Sequence, residues 1–166
     1  MKKVLISIFI LYTLNATQAQ KLVSNKGSIS PLNSQSEMLK LVNEVRKRGC
    51  NCGGVKMPPV AALTWDEKLE KAASMHVRDI YQRNELSHSS RSGLPTYKRY
   101  ELQNYIWKSY AENVAGGYDT FLEVLQAWLE SPGHCKNLMG NYQDLGIARY
   151  QDFWVMDFGT KKSALK

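Results

Sequence analysis

Ala111-Glu112-Asn113-Val114-Ala115 and, a little further on, Trp128-Leu129-Glu130-Ser131-Pro132-Gly133-His134 are the two stretches from which this 166-residue chain is best read. The first sets one carboxylate in an apolar run that stops at Gly116-Gly117, which predicts a short strand. The second closes an apolar helix. That helix opens at a capping box, Thr120-Phe121-Leu122-Glu123, and carries Val124, Leu125 and Trp128. It stops at Ser131, because a residue before proline is pushed out of the helical region. His134 follows at once. The chain has only three histidines, and another, His88, lies upstream in Leu86-Ser87-His88-Ser89. Brought together by a fold, His88, Glu112 and His134 form a polar site able to hold a metal or move protons.

Helical and strand periodicity continue on both sides. Ser34-Gln35-Ser36-Glu37 reads as a capping box, and Met38, Leu41, Val42 and Val45 then share one helix face. Lys47, Arg48 and Gly49 end that helix. Cys50 to Pro59 is a Gly- and Pro-rich loop. Thr64-Trp65-Asp66-Glu67 reads as another capping box, opening a helix to about Asn84 that buries Trp65, Leu69, Ala72, Ala73, His76 and Ile80. On that apolar face His76 reads as a satisfied core histidine rather than a ligand. Pro95 starts a short helix to about Gln103, and His134-Cys135-Lys136-Asn137 begins one further helical turn. Leu145–Tyr150 and Phe153–Phe158 form a hairpin across Gln151-Asp152. Helices, one strand, a helix and a hairpin in that order predict an α+β fold with a small antiparallel sheet covered by helices.

The N-terminus reads as a targeting signal. Lys2 and Lys3 precede the short apolar run Val4–Leu14, and Thr17-Gln18-Ala19 is a small-residue cleavage site. Residues 1–19 are therefore expected to be a signal peptide, 20–33 a polar linker, 34–160 the folded domain and 161–166 a tail. Without Lys2 and Lys3 the formal net charge falls from +7 to +5. Those charges are scattered. The one cluster, Arg46-Lys47-Arg48, reads as a helix C-terminus complementing its dipole rather than a nucleic-acid patch. No later apolar run reaches membrane-spanning length. In an oxidising compartment a disulfide is expected among Cys50, Cys52 and Cys135. Cys50 and Cys52 are too close in sequence to pair easily, so a bridge from one of them to Cys135 fits better. Cys-x-Cys lacks the second cysteine pair of a thiolate cage.

Leu63-Thr64-Trp65-Asp66, Leu69, Ala72-Ala73, Ser87-His88, Ala111-Glu112-Asn113, Ala127-Trp128, Ser131-Pro132-Gly133-His134, Gly146-Ile147 and Phe153-Trp154 stand in one order. As a set they resemble the CAP superfamily of cysteine-rich secretory proteins, antigen 5 and pathogenesis-related 1. The Ser-Pro-Gly-His form is similar to its bacterial, SCP-like branch. The resemblance covers about Ser34 to Thr160 and implies a three-layer α–β–α sandwich with an antiparallel central sheet. It also implies a zinc-binding pocket of two histidines and two glutamates. His88 matches the first histidine, and Glu112 the first glutamate, with Ala111 in place of the usual glycine. The second glutamate falls near Ser131 and the last histidine near Phe153, so both are missing. Bacterial relatives place the Ser-Pro-Gly-His histidine, here His134, close by. Asp157 on the last strand is a further polar group.

Two imidazoles and a carboxylate are the ligand types of an open zinc site, so His88, Glu112 and His134 are the expected ligands of zinc or another divalent metal. A hydrolase also needs a general base, an oxyanion stabiliser and a groove. Glu112 cannot easily be both ligand and base, and no nucleophile is evident. The aromatic group Tyr97, Tyr100, Tyr105, Trp107 and Tyr110 reads as packing. The chain is thus expected to be an exported module that binds an extracellular protein, peptide or lipid, with no nucleic-acid partner and no integral membrane segment. A metal-dependent hydrolase of peptide or cell-envelope substrates and a lipid or sterol carrier are the alternatives.

Overall fold

The computed structural model describes residues 34–163. The expected signal peptide, the linker and the last three residues lie outside the described residues. In chain order the elements are α1 (Gln35–Arg48), β1 (Cys50–Cys52), β2 (Val55–Met57), β3 (Thr64–Trp65), α2 (Glu67–Arg83), α3 (Thr96–Leu102), β4 (Trp107–Gly116), α4 (Phe121–Glu130), α5 (Pro132–Leu138), β5 (Asp144–Tyr150) and β6 (Phe153–Lys161).

The central sheet has the order β3-β5-β6-β4, which leaves β4 on an edge. Its three long strands are antiparallel. Only the two-residue β3 runs parallel to its neighbour β5. Because successive strand residues point to opposite faces, each strand feeds two cores. Val114, Phe153 and Val155 pack with Ala73, Val77 and Ile80 of α2. Ala115, Trp154, Met156 and Phe158 pack on the other face with Met38 and Val42 of α1, Phe121, Val124, Leu125 and Trp128 of α4, and Leu138 of α5. Helices on both faces of the sheet make the α–β–α sandwich.

Local chemistry accounts for the boundaries. At α1 the Ser34 side chain accepts from the Glu37 N–H, and at α4 Thr120 and Glu123 form the full reciprocal capping box. The second helix departs from its expected start. Its N-cap is Asp66, whose carboxylate accepts from the Lys68 and Leu69 N–H groups, and Thr64-Trp65 is drawn out as β3. Proline at the first position starts α5, which runs seven residues rather than a single turn. The strand expected over 111–115 extends back to Trp107, where its exposed half carries aromatic side chains: Trp107 and Tyr110 meet edge to face at 4.9 Å between ring centroids. The loop after α1 holds a small hairpin, β1–β2. Arg46 does not serve the α1 dipole alone. It is buried, and donates from Nη1 to the Leu138 carbonyl at 2.6 Å and from Nε to the Ala61 carbonyl at 2.8 Å.

A disulfide joins Cys52 to Cys135 and so ties β1 to α5. Of the two pairings open to Cys135, this leaves Cys50 as the free thiol.

Candidate functional site at the β4 edge

Glu112 is the centre of the site. It projects from β4 toward α2 and α3, and its side chain is only 2% exposed. Burying a carboxylate is costly unless its charge is compensated, and here four groups converge on it. Arg99 of α3 makes a very short, buried ion pair with Oε2. Thr96 donates to Oε1 at 3.1 Å. His88 donates from Nδ1 to Oε1 at 2.8 Å, and His76 Nε2 stands 3.8 Å from the same oxygen. Burial alone pushes the Glu112 carboxyl up, but the His88 hydrogen bond and the Arg99 charge together hold it below the usual range, so it is ionised.

The loop bearing His88 is pinned from below. Fully buried His76 donates from Nε2 to the Ser87 carbonyl at 2.7 Å, while its Nδ1 has no partner. Burial lowers the His76 pKa and keeps the ring neutral. Arg99 Nη1 holds the His88 carbonyl at 2.9 Å. The His88 ring itself is 58% exposed. Its hydrogen bond to Glu112 outweighs burial and raises its pKa. With Nδ1 engaged, Nε2 on the opposite edge of the ring is left for a ligand.

His134 lies in the first turn of α5. The Ala111–Ala115 and Trp128–His134 stretches meet here: Asn113 Nδ2 donates to the His134 carbonyl at 3.1 Å, and Asn137 Nδ2 donates to Asn113 Oδ1 at 2.8 Å. Asn113 thus locks α5 onto β4. His134 borders a cleft of about 260 Å³ with Leu86, Val114, Gly116, Trp128 and Ser131. Burial and then the charge of His88 lower its pKa, so at neutral pH it offers a lone pair rather than a charge.

The fold therefore brings His88 and Glu112 into contact, with His134 near enough to sense the His88 charge but without a bond to either. Among the described residues the one group of three Cys, His, Asp or Glu with ligand atoms all within 4.8 Å of one another is Cys50, Cys52 and Cys135. Asp157 faces Glu112 directly across the β4–β6 ladder, fully buried and with neither carboxyl oxygen hydrogen-bonded. Burial, then the charge of Glu112, pushes its pKa far up, so it is neutral and lies beneath the site. Ser131 lines the cleft, whereas Phe153 packs in the core against α2. Sequence reasoning did not find Arg99 and Thr96. Their spacing of three places both on the buried face of α3 with Tyr100, which was the available signal. Nothing in Thr96-Tyr97-Lys98-Arg99 distinguishes a buried arginine from its exposed lysine neighbour.

The model of the cysteine-rich secretory protein family, CAP, matches residues 39–158. Among curated proteins, YkwD of Bacillus subtilis, described as uncharacterised, is 29% identical over 99 residues, covering 58% of this chain and 38% of its own. YlbC of the same organism, described as an uncharacterised membrane protein, is 28% identical over 127 residues, covering 75% of this chain and 34% of its own. This chain thus spans well under half the length of either relative. Among solved structures, an extracellular SCP-domain protein of Bacillus anthracis superposes with a TM-score of 0.68 at 27% identity, over 76% of this chain and 40% of that one. An outer surface protein of Borrelia burgdorferi superposes with a TM-score of 0.62 at 20% identity, over 90% and 97% of the two chains, a likeness of fold. No described helix is long and apolar enough to cross a membrane.

Proposed function

The chain belongs to the cysteine-rich secretory protein (CAP) family, and from that premise we propose that it is an exported binding module. It engages an extracellular protein or peptide at the β4 edge, where His88 and His134 form a two-imidazole site for zinc or another divalent ion. Export is supported by the signal-like N-terminus and by the extracellular and outer-surface descriptions of its structural neighbours.

One observation carries the reading: both oxygens of Glu112 are taken by protein partners. Glu112 is therefore the group that orients His88 rather than a direct ligand or a free base. A carboxylate holding one imidazole nitrogen while the other faces outward is a recurrent arrangement behind metal-ligating histidines. The donor set fits an ion held by His88 and His134 and completed by water or by a partner's side chain. It falls short of the three protein ligands of a hydrolytic zinc centre. The cleft at His134, about 260 Å³, lies below the usual range for ligand pockets, roughly 300–1,000 Å³. That suits the tip of a peptide side chain better than a sterol.

Isothermal calorimetry with zinc on the oxidised protein tests this. A single binding event is expected, lost in His88→Ala and in His134→Ala. A wild type that takes up no heat removes the metal from the proposal.

A further inference from the structure

Two cysteines separated by one residue on a strand point to the same face. In β1 that face is turned toward α5, so Cys50 and Cys52 both approach Cys135. Cys52 and Cys135 are fully buried beside Met139, Val45, Met57 and Leu129. Cys50 is only half-buried, and it borders an open cleft of about 710 Å³ with Arg48, Asn51, Lys56 and Met57. Its sulfur lies 3.5 Å from Cys135 Sγ and 3.7 Å from Cys52 Sγ. A buried disulfide with a third, half-buried sulfur against its flank has two ways to be wired, and of the three sulfurs it is that third one that borders the open cleft.

We infer that Cys50 is the exchange partner of the Cys52–Cys135 disulfide, and that the three sulfurs form a relay between the buried bond and a soluble dithiol. In the first step the Cys50 thiolate attacks Cys135 Sγ. A Cys50–Cys135 bond forms, the Cys52–Cys135 bond breaks, and Cys52 leaves as a thiolate that takes up the proton Cys50 gave up. No electrons are gained or lost. In the second step a dithiol in the cleft attacks Cys50 Sγ, displaces the Cys135 thiolate, and then closes its own disulfide to release Cys50. The protein gains two electrons and two protons, which the dithiol loses.

Thiol–disulfide displacement needs the attacking sulfur in line with the bond it breaks. Cys50 stands broadside, almost equidistant from the two sulfurs, so it must first turn about its own side-chain torsion. The cleft beside it leaves room for that turn. The cationic side chains of Arg48 and Lys56 border the same cleft and favour an incoming thiolate.

The test compares the oxidised wild type with Cys50→Ser, which leaves the disulfide and the fold intact. Each is treated with dithiothreitol at neutral pH, quenched with acid at intervals, alkylated and digested without reduction. Tandem mass spectrometry then places the alkyl group on Cys50 or Cys52. The wild type is expected to lose its disulfide at least tenfold faster than Cys50→Ser, and its trapped pool is expected to contain Cys50–Cys135 with an alkylated Cys52. Equal reduction rates in the two proteins, or a wild-type pool holding only the Cys52–Cys135 bond, overturn the inference.

Discussion

His88 donates from Nδ1 to Glu112 Oε1 at 2.8 Å, so an exposed imidazole is held by a buried carboxylate. This pair explains why the histidine is presented in a fixed orientation, and it dictates how the site titrates. The Glu112 hydrogen bond raises the His88 pKa above 6.5, while burial and then the His88 charge lower that of His134 below 6.5. Imidazole NMR titration should resolve the two on opposite sides of that value. In Glu112→Gln the His88 value should fall, and a His88 curve that does not move separates it from the carboxylate.

The same pair links pH to stability. His88 holds its proton more tightly in the folded state than in the unfolded chain. Its stabilisation is therefore present in full below about pH 6.5 and is lost as pH rises through the higher folded-state value. The exposure of the ring keeps the effect small. Urea midpoints measured from pH 5.5 to 8.5 should fall slightly in the wild type relative to His88→Ala, and parallel curves would exclude the linkage.

Arg99 should matter more to stability than either histidine. It and Glu112 are each only 2% exposed, and removing one member of a buried pair leaves the other charge uncompensated, at a cost of about 3–5 kcal/mol. Arg99→Ala should therefore lower unfolding stability by that order. Arg99→Ala/Glu112→Gln together should cost less than the sum of the single changes. Chemical denaturation of the four proteins closes the cycle, and strict additivity would show that the two groups do not depend on each other.

Much of this was legible in the sequence because it depends on short-range rules. Apolar periodicity and the Thr120–Glu123 capping box locate α1, α2 and α4, Pro132 marks where α4 stops, and the ordered motifs give the sandwich, while α5 starts at Pro132 itself rather than at His134. The site was legible only in part. His88 and Glu112 were identified, but their roles depend on Arg99, Thr96 and His76, which arrive from two other helices. Thr64 reads as a cap because Thr-x-x-Glu fits the pattern. It lost to Asp66, whose carboxylate reaches two N–H groups of the first turn while Thr64 pairs with β5. Which cysteine joins Cys135 depends on the strand geometry of β1, and local sequence carries no trace of it.

If Glu112 acts on a bound ion through His88, the two residues should separate in a zinc titration. His88→Ala should abolish binding. Glu112→Gln should weaken it by about 10–100-fold, the usual cost of losing a group that orients a ligand. Complete loss in Glu112→Gln, with the fold intact by circular dichroism, would instead make the carboxylate a direct ligand.

The Cys52–Cys135 bond closes a loop with a sequence separation of 83, worth ~4 kcal/mol in the chain-entropy account. Cys135→Ala removes one half of that bond, so it should lower stability by that order. Cys50→Ala keeps the bond and should change stability by less than about 1 kcal/mol. Urea unfolding without reductant distinguishes the two, and equal losses would mean that the free thiol itself packs as core.

Two glycines should respond to alanine in opposite directions, and the difference reaches the site. Gly146 on β5 lies against α2 so closely that an added Cβ would collide with the backbone of Leu69 and Glu70. Backbone cannot rotate out of the way as a side chain can, so α2 must lift from the sheet, an overpacking cost of typically about 1–3 kcal/mol. The same helix carries His76, whose hydrogen bond to Ser87 sets the loop that presents His88. Gly146→Ala should therefore lower stability and also shift the His88 imidazole signals, although the two residues sit on different elements. Gly133, in the first turn of α5, has open space where a Cβ would go and no positive φ. Gly133→Ala should be neutral or stabilising by up to about 1 kcal/mol, since alanine is the better helix former. Thermal unfolding together with imidazole NMR checks both. A Gly146→Ala protein as stable as wild type would mean that α2 is not seated on β5 as closely as its backbone contacts require.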